Sequence, residues 1–424
     1  MPHLLVGTAE IEITPPIGTL MAGALQPRAS TGVYDPLYVK ALVLDDGRTR
    51  LAYAIFDLIA LDGAFGARMT AAAEAVTSIP AAHIIWSCSH THSGPVTVNH
   101  FPADVPDPVD YAWKETLIER FAECVHRADV AKMPMRARRA RGYRGDLSHN
   151  RRLRYKDGRE INTWLLHGGE EDLQAVGAAG PIDPEVGIVA FEDDVGMCAV
   201  LYTFALHANS RWGSAFSGDY PAVVAARLRE RYGPNITALF MPGACGDLNP
   251  VRPTREIGDT LAETIIARLD ASGRELAPVL GIRYQDMALP PRDVHQDIED
   301  RLRASQWAPR EQAFFRDTQR DLQRLDPRGL PARATAFHIG DIAFATFPGE
   351  LFVDIGLRVK AESPFPWTYP VELANGSLGY LITDKAWQAG GYESLISTVT
   401  LVAPKGSDML LDANLALLGE MACH

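Results

Sequence analysis

The sequence predicts an α/β fold in which short buried strands end in polar loops. Apolar runs typical of buried strands, such as 188–191, alternate with breaker-free segments typical of helices, such as 67–77. Four strand-like runs lead directly into polar or histidine-containing loops, and α/β proteins place their sites at such strand ends. The chain has no internal repeat and no low-complexity linker. We therefore predict one catalytic domain spanning residues 1–424.

Local patterns predict the individual elements. A hairpin opens the chain, with strands at 39–44 and 51–57 joined by an Asp-Asp-Gly turn. Asp219 is predicted as a helix N-cap, with Pro221 in the first turn. Residues 132–193 show weaker periodicity, which we interpret as a long functional excursion. The other predicted elements are strands at 188–191, 197–206, 236–240 and 339–346, and helices at 67–77, 110–130, 219–231, 254–271, 294–325 (a charged pair broken at Pro309) and from after Glu350 to about Glu362.

Composition narrows the class of protein. A formal charge of -12 argues against a nucleic-acid partner, and the one basic run, 136–141, is interpreted as a solvated strand or loop. Five cysteines without a close-spaced pair favour reduced thiols over a disulfide framework. No apolar run reaches the roughly 20 residues needed to cross a bilayer, and the start lacks the features of a leader. We expect a cytoplasmic protein without membrane insertion; its oligomeric state is left open.

The stretch 83–95 is the most informative part of the sequence. It reads His-Ile-Ile-Trp-Ser-Cys-Ser-His-Thr-His-Ser-Gly-Pro, a buried strand followed by a loop. If the chain stays extended, His90 and His92 point to the same face because side chains two apart share a face of a strand. Such a pair suits a metal ion with a substrate beside it, although ordinary hydrogen bonding explains an isolated pair equally well.

Other strand ends offer partners for this pair. His207 follows the strand at 197–206, and Glu350 follows the strand at 339–346. Two histidines and one carboxylate form a common zinc set, which a water or phenolate completes. Each residue has a structural alternative: His207 can be a hydrogen-bonded core histidine, Glu350 a helix N-terminal acid, and Tyr380 and Tyr392 packing residues.

A series of motifs resembles the catalytic domain of the neutral (alkaline, non-lysosomal) ceramidases. In chain order they are Val6-Gly-Thr-Ala-Glu-Ile-Glu-Ile-Thr-Pro15, Asp35-Pro-Leu-Tyr-Val-Lys-Ala41, His90-Thr-His-Ser-Gly-Pro95, Asn150-Arg151, Asp183-Pro-Glu-Val-Gly187, Ser217-Gly-Asp-Tyr-Pro221, Gly246-Asp247 and Pro348-Gly-Glu350. The order matches that family along nearly the whole chain. The resemblance implies a mixed-sheet α/β catalytic domain of neutral-ceramidase type.

The resemblance also implies the roles of individual residues. It implies a Zn²⁺ ion held by four residues, which are His90, His207, Glu350 and Tyr380. It further implies that the scissile group is surrounded by His92, Arg151 and Tyr392. In this scheme His92 serves as general base or acid, and Arg151 or Tyr392 donates a hydrogen bond to the developing oxyanion.

One position departs from the family pattern. The family places a serine in Gly-Asp-Val-Ser-Pro, whereas this loop reads Gly-Asp-Leu-Asn-Pro, so Asn249 occupies the serine position. An amide is not a useful nucleophile, and we interpret the nearby Cys245 as a buried structural thiol rather than a substitute. We also expect neither a secretion signal nor the C-terminal immunoglobulin-like domain that the resemblance suggests. A small soluble substrate is therefore expected in place of ceramide.

Three functions remain open from the sequence. The first is a zinc hydrolase that cleaves an amide or related acyl bond with metal-bound water, in which Asn249 is a polar substrate contact or oxyanion donor. The second is a zinc-dependent lyase or isomerase, in which His92 removes a proton next to a carboxylate or carbonyl and Tyr392 assists. The third is a ligand-binding relic without catalysis. The retained ligand residues and tyrosines favour an enzyme.

Overall fold

The computed structural model describes residues 4–24, 28–99, 101, 106–163, 174–271, 273–292, 312, 316, 325–395 and 399–423. The strands are β1 (Leu4–Glu12), β2 (Leu20–Met21), β3 (Arg28–Ala29), β4 (Gly32–Val33), β5 (Tyr38–Asp45), β6 (Arg50–Phe56), β7 (Ile84–Cys88), β8 (Met133–Tyr143), β9 (Ser148–Asn150), β10 (Arg152–Tyr155), β11 (Glu160–Asn162), β12 (Ala175–Ala178), β13 (Glu185–Glu192), β14 (Met197–Phe204), β15 (Ala215–Phe216), β16 (Thr237–Pro242), β17 (Leu248–Pro250), β18 (Arg274–Glu275), β19 (Leu280–Leu289), β20 (Leu330–Ile339), β21 (Ile342–Thr346), β22 (Glu350–Leu351), β23 (Trp367–Val371) and β24 (Tyr380–Leu381). The α-helices are α1 (Gly63–Thr77), α2 (Tyr111–Val130), α3 (Asp219–Tyr232), α4 (Thr254–Asp270), α5 (Val353–Glu362), α6 (Asp384–Ala389), α7 (Tyr392–Leu395) and α8 (Pro404–Ala422).

A large mixed sheet forms the centre of the fold. Its strand order is β16-β14-β13-β8-β1-β5-β6-β7, with β18 paired to β8. The pairs at the two ends, β14 with β16 and β6 with β7, are parallel, whereas the pairs between them are antiparallel. The predicted α/β class with a mixed sheet is therefore confirmed.

A second, smaller sheet packs on the large one. Its order is β19-β20-β21-β23, and buried side chains such as Leu201 and Phe344 fill the space between the two sheets. The outer face of the large sheet is covered by α1 and α2 at one end and by α3 and α4 at the other. Helices α5 and α8 cover the outer face of the small sheet. Burying both faces of each sheet in this way removes the apolar strand residues from water.

The ends of the large sheet approach each other. Strand β16 contacts β5, β6 and β7 although it lies at the other end of the strand order. The Tyr53 hydroxyl joins them: it donates to the Phe240 carbonyl at 3.0 Å and lies 2.6 Å from Ser87 Oγ. Because β7, β14 and β16 are brought together, the loops that follow their carboxyl ends meet at one place.

Most predicted elements are confirmed, with shifts of a few residues at their ends. The opening hairpin is β5 and β6 in antiparallel register, and the helix predicted at 254–271 is α4. The pair predicted at 294–325 lies almost entirely outside the described residues. The C-terminal helix α8 was not predicted. No helix in the described ranges is both long and apolar enough to cross a membrane.

Three sequence expectations are wrong. Residues 132–193 are not one excursion, since β8 and β13 within them are central strands of the large sheet. Helix α3 begins at Asp219 itself, which has a φ of 57°, and its N-cap is Gly218. His90 and His92 do not share an extended strand, because β7 ends at Cys88 and His90 has a φ of 62°. A left-handed residue is rare outside glycine and indicates local strain.

Candidate metal centre and active site

Three side chains meet just beyond the carboxyl ends of β7, β14 and β21. His90 follows β7, His207 follows β14, and Glu350 opens β22. His90 Nε2 lies 3.0 Å from His207 Nε2. Glu350 Oε2 lies 3.2 Å from His90 Nε2 and 3.4 Å from His207 Nε2. All three side chains are buried, so water is largely excluded from this point.

Backbone carbonyls fix the orientation of each imidazole. His90 Nδ1 lies 2.9 Å from the Ile59 carbonyl, and His207 Nδ1 lies 2.8 Å from the Cys245 carbonyl. Because a carbonyl oxygen can only accept, each Nδ1 carries a proton, and the neutral form of each ring presents Nε2 as a lone pair. This is the arrangement usual for histidines that bind metals, whose second nitrogen donates to the protein.

The donor set fits a metal ion. Two imidazole Nε2 atoms and a carboxylate oxygen lie 3.0 to 3.4 Å from one another, and Glu350 Oε2 is buried without a hydrogen-bond partner among the described residues. Tetrahedral zinc with ligand distances near 2.0 to 2.2 Å requires donor atoms roughly 3.3 to 3.6 Å apart. A cation at this point would be bound by all three atoms.

His92 is the third histidine of the group. The Nε2 atoms of His90, His92 and His207 can all serve as ligand atoms, and the group's ligand atoms lie within 4.8 Å of one another. The His92 Nδ1 lies 3.0 Å from the Gly23 carbonyl, which again leaves Nε2 as the lone pair. That Nε2 is buried without a partner among the described residues. A Cβ at Gly23 would lie 2.4 Å from His92 Cβ, so only glycine allows this approach.

Electrostatics favour cation binding at three of the four side chains and oppose it at His90. Burial lowers the pKa of His90, but the charge of Glu350 and its hydrogen bond outweigh burial and raise that pKa above its usual value. Burial, and then the neighbouring His90, lower the pKa of His207 to about 4. Burial and the other two histidines hold the pKa of His92 well below its usual value. Burial alone would raise the pKa of Glu350, but His90 and His207 hold it well below the usual value. At neutral pH two of the imidazoles, His92 and His207, are therefore neutral and the carboxyl is ionised.

Tyr380 and Arg151 lie beside the carboxylate. Strands β22 and β24 form a short parallel pair in which Glu350 and Tyr380 are register partners. Arg151 Nη2 donates to the Tyr380 hydroxyl at 3.0 Å, and Tyr392 packs edge-on against Tyr380 with ring centroids 5.9 Å apart. Burial, followed by the charge of Glu350, raises the pKa of both phenols. The structure thus brings Tyr380, Arg151 and Tyr392 together on one side of Glu350.

Asn249 lies on the other side of Arg151. Its Oδ1 accepts from Arg151 Nη1 at 3.4 Å and from Asn209 Nδ2 at 3.3 Å. Cys245 is buried, and its Sγ lies 2.9 Å from Glu372 Oε1. Burial and then Glu372 raise the pKa of the thiol well above its usual value, which removes its nucleophilic form.

Sequence reasoning missed two buried carboxylates that support these residues. Glu393 accepts from Arg151 Nε at 2.9 Å, Arg152 Nη1 at 2.6 Å and Asn162 Nδ2 at 2.7 Å. Glu372 accepts from the backbone of Cys245 and from that of Leu351. The signal for Glu393 was its position directly after Tyr392. Glu372 stands in the apolar run Pro-Val-Glu-Leu-Ala, where an acid is unexpected unless it is paired.

Fold and site together define an α/β protein with a buried histidine and carboxylate centre that could hold a metal ion. No family model and no curated protein matches the chain. Among solved structures, the neutral ceramidase from Pseudomonas aeruginosa aligns with 99% of this chain and 75% of its own, with a TM-score of 0.76 and 18% identity. A structure described as ceramidase complexed with C2 aligns over the same shares with a TM-score of 0.76 and 17% identity. The fold is thus of neutral-ceramidase type, as the motifs predicted.

Proposed function

We propose that this protein is a zinc-dependent hydrolase that cleaves an amide or related acyl bond of a small soluble substrate. The observation that carries the proposal is the convergence of His90 Nε2, His207 Nε2 and Glu350 Oε2 at 3.0 to 3.4 Å. With Tyr380 these are the residues that would hold the ion. Zinc bound there would lower the pKa of a water ligand toward ~7 and polarise a carbonyl oxygen.

His92 is the proposed proton carrier. Its Nδ1–H is held by the Gly23 carbonyl, so the free Nε2 lone pair can accept a proton from the attacking water. The same nitrogen can then return that proton to the leaving group. Its position beside His90, with ring centroids 4.9 Å apart, keeps it next to the reacting atoms without requiring it to bind the ion.

Arg151 is proposed to stabilise the negative charge that develops on the substrate, and Asn249 is proposed to contact the substrate through its amide. Arg151 is buried and held by Glu393, so its charge is fixed in place before the reaction. Preorganised donors of this kind contribute most when water is excluded. Tyr392 adjoins Tyr380 on the same side and can donate its hydroxyl proton to the substrate.

No covalent intermediate is needed in this proposal. Asn249 cannot act as a nucleophile, and Cys245 is an inert thiol bonded to Glu372. Direct addition of water to the substrate carbonyl, followed by departure of the leaving group with the proton from His92, suits this arrangement. A lyase or isomerase that uses His92 as the base remains the second candidate, since the free lone pair of His92 serves proton abstraction equally well.

The test is a product-mass screen. Zinc-loaded protein is incubated with N-acyl amino compounds, lactones and uronate-type acids, and products are identified by mass. A gain of 18 mass units summed over the products identifies hydrolysis. An unchanged total mass identifies isomerisation or cleavage by a lyase instead. A product lighter than the substrate by one water identifies elimination of water. Turnover that is unchanged after zinc removal contradicts both candidates.

A further inference from the structure

The geometry points to a hydrogen-bonding site for a small polar group of the substrate, formed by Asn249 and Asn209 beside the metal centre. This inference rests on the proposed function and deepens it, because it defines the class of substrate. We infer that the group recognised is uncharged and offers both a donor and an acceptor, such as a hydroxyl or a carboxamide adjacent to the scissile carbonyl.

Arg151 sets the orientation of both amides. A guanidinium can only donate, so the Asn249 atom that faces Arg151 Nη1 at 3.4 Å must be the side-chain carbonyl oxygen. The Asn209 atom that lies 3.3 Å from this oxygen must then be the NH₂ group. Arg151 is itself held by Glu393 and Tyr380, so its position beside Asn249 is fixed. The Arg151 guanidinium therefore orients the Asn249 amide, and the Asn249 amide in turn orients the Asn209 amide.

Each amide consequently presents its other end. Asn209 is about nine-tenths buried, and its Oδ1 has no hydrogen-bond partner among the described residues. A buried acceptor left without a donor is destabilising. The Asn249 oxygen is already occupied, so its NH₂ group is the part that remains available to a substrate. A ligand that donates to Asn209 and accepts from Asn249 satisfies both.

The place of these amides in the chain puts them next to the chemistry. Asn209 is two residues beyond the metal-binding candidate His207. The guanidinium of Arg151 donates to both Asn249 and Tyr380. Tyr380 is in turn the register partner of Glu350. A serine at 249 would offer a rotatable hydroxyl that is donor and acceptor at once, whereas this pair is directional. An alkyl group placed here would leave the Asn209 oxygen unsatisfied, which disfavours lipid-like substrates.

Two hydroxamates of similar size provide the test. Both chelate zinc, but glycolohydroxamate carries a hydroxyl where propanohydroxamate carries a methyl group. Their dissociation constants are measured by calorimetry on zinc-loaded wild type and on the Asn249→Asp and Asn209→Ala variants, after zinc content has been determined for each. Asn235→Asp is the matched control, because Asn235 is exposed and precedes β16 at the end away from the site.

We expect wild type and Asn235→Asp to bind glycolohydroxamate at least tenfold more tightly than propanohydroxamate, since polar sites reject analogues that lack the polar group. In the two site variants this preference should fall to twofold or less, with propanohydroxamate binding unchanged. Equal binding of the two probes by wild type, no binding of either probe, or a preference that persists in both variants would overturn the inference. The readout is binding alone, so it stands apart from the hydrolysis screen: the protein can fail to hydrolyse and still show the preference, or the reverse.

Discussion

Glu372 and Cys245 are joined by two hydrogen bonds, one from the Cys245 backbone N–H at 3.0 Å and one from its thiol at 2.9 Å. The carboxylate also accepts from the backbone of Leu351 at 2.9 Å. The Cys245 carbonyl orients His207, and Leu351 follows Glu350. One buried side chain therefore connects the backbone segments that position two candidate metal ligands.

Glu372 is expected to act as a positioning residue. Glu372→Ala should weaken zinc binding about 10- to 100-fold, as is typical when a group that orients metal ligands is removed. Glu372→Gln should remain within a few-fold of wild type, because one amide oxygen can accept both backbone bonds. Zinc affinity and the visible spectrum of the cobalt-substituted protein are the measurements.

Glu192→Ala serves as the control for loss of a partly buried carboxylate, since Glu192 pairs with Arg138 on the large sheet. Its cobalt spectrum should equal that of wild type. An unchanged spectrum in Glu372→Ala would show that this residue supports only the core.

The second prediction concerns covalent chemistry. Burial keeps Cys245 protonated, so native protein treated with iodoacetamide should be modified at the exposed Cys423 and not at Cys245. Intact mass during turnover should likewise show no acyl adduct. Denatured protein, in which every cysteine is accessible, is the positive control. An adduct on Cys245 in the native protein would make it a nucleophile and change the proposed reaction.

The third prediction tests the metal ligands. His207→Ala removes one of the three converging donor atoms, and we expect loss of stoichiometric zinc together with activity. Elemental analysis of protein purified without chelator gives the answer. Circular dichroism must show that the variant is folded. Full zinc content in His207→Ala would remove this residue from the ligand set.

The fourth prediction separates His92 from the ligands. His92→Ala should retain zinc and lower kcat by roughly 10² to 10⁴, the usual contribution of a positioned acid or base. His90→Ala should lose zinc and activity together. If His92→Ala also loses its zinc, then the three histidines are the ligands and another group must carry the proton.

The fifth prediction concerns stability and pH. Burial raises the pKa of Asp57 from its usual 3.8 to about 6. The folded state thus binds the Asp57 proton more strongly than the unfolded state does. The stabilisation that this proton gives to the folded state is complete below pH 3.8 and is lost as the pH rises to about 6. The whole difference corresponds to up to about 3 kcal/mol.

Asp57→Asn keeps an acceptor for the Tyr38 N–H, which lies 2.9 Å away, but does not titrate. Relative to wild type, its free energy of unfolding should therefore be higher at pH 7.5 than at pH 4.5. Urea titrations at the two pH values measure this, with Asp194→Asn as an exposed control. An equal effect of Asp57→Asn at both pH values would contradict the assigned shift.

The sequence predicted the α/β class, the opening hairpin and most helices because those features depend on local periodicity. It also identified the loops that carry His90, His207 and Glu350, since each follows an apolar run. It could not show that β8 is a central strand, because its arginines interrupt the apolar pattern. Arg139 is nevertheless buried, stacked on Trp367 with its guanidinium 3.9 Å from the ring centroid.

Other features depended on contacts between distant segments. The hydrogen bond from Asn209 to Asn249 and the support of Arg151 by Glu393 join residues 40 and 242 positions apart. No local pattern encodes such partners. The extended geometry expected for His90 and His92 failed for the same reason: the left-handed conformation of His90 is maintained by tertiary contacts, including its backbone N–H to the Leu58 carbonyl at 3.0 Å.

The backbone carbonyls that orient the three imidazoles have a consequence for how folding relates to the proposed metal binding. They come from Gly23, Ile59 and Cys245, so the rings are aimed by the folded chain and not by an ion. Folding should therefore not depend on the proposed ion, unlike in small domains that fold only around their zinc. We expect the metal-free protein to be folded, and we expect a chelator to remove the proposed ion, with any activity that depends on it, reversibly and without denaturation.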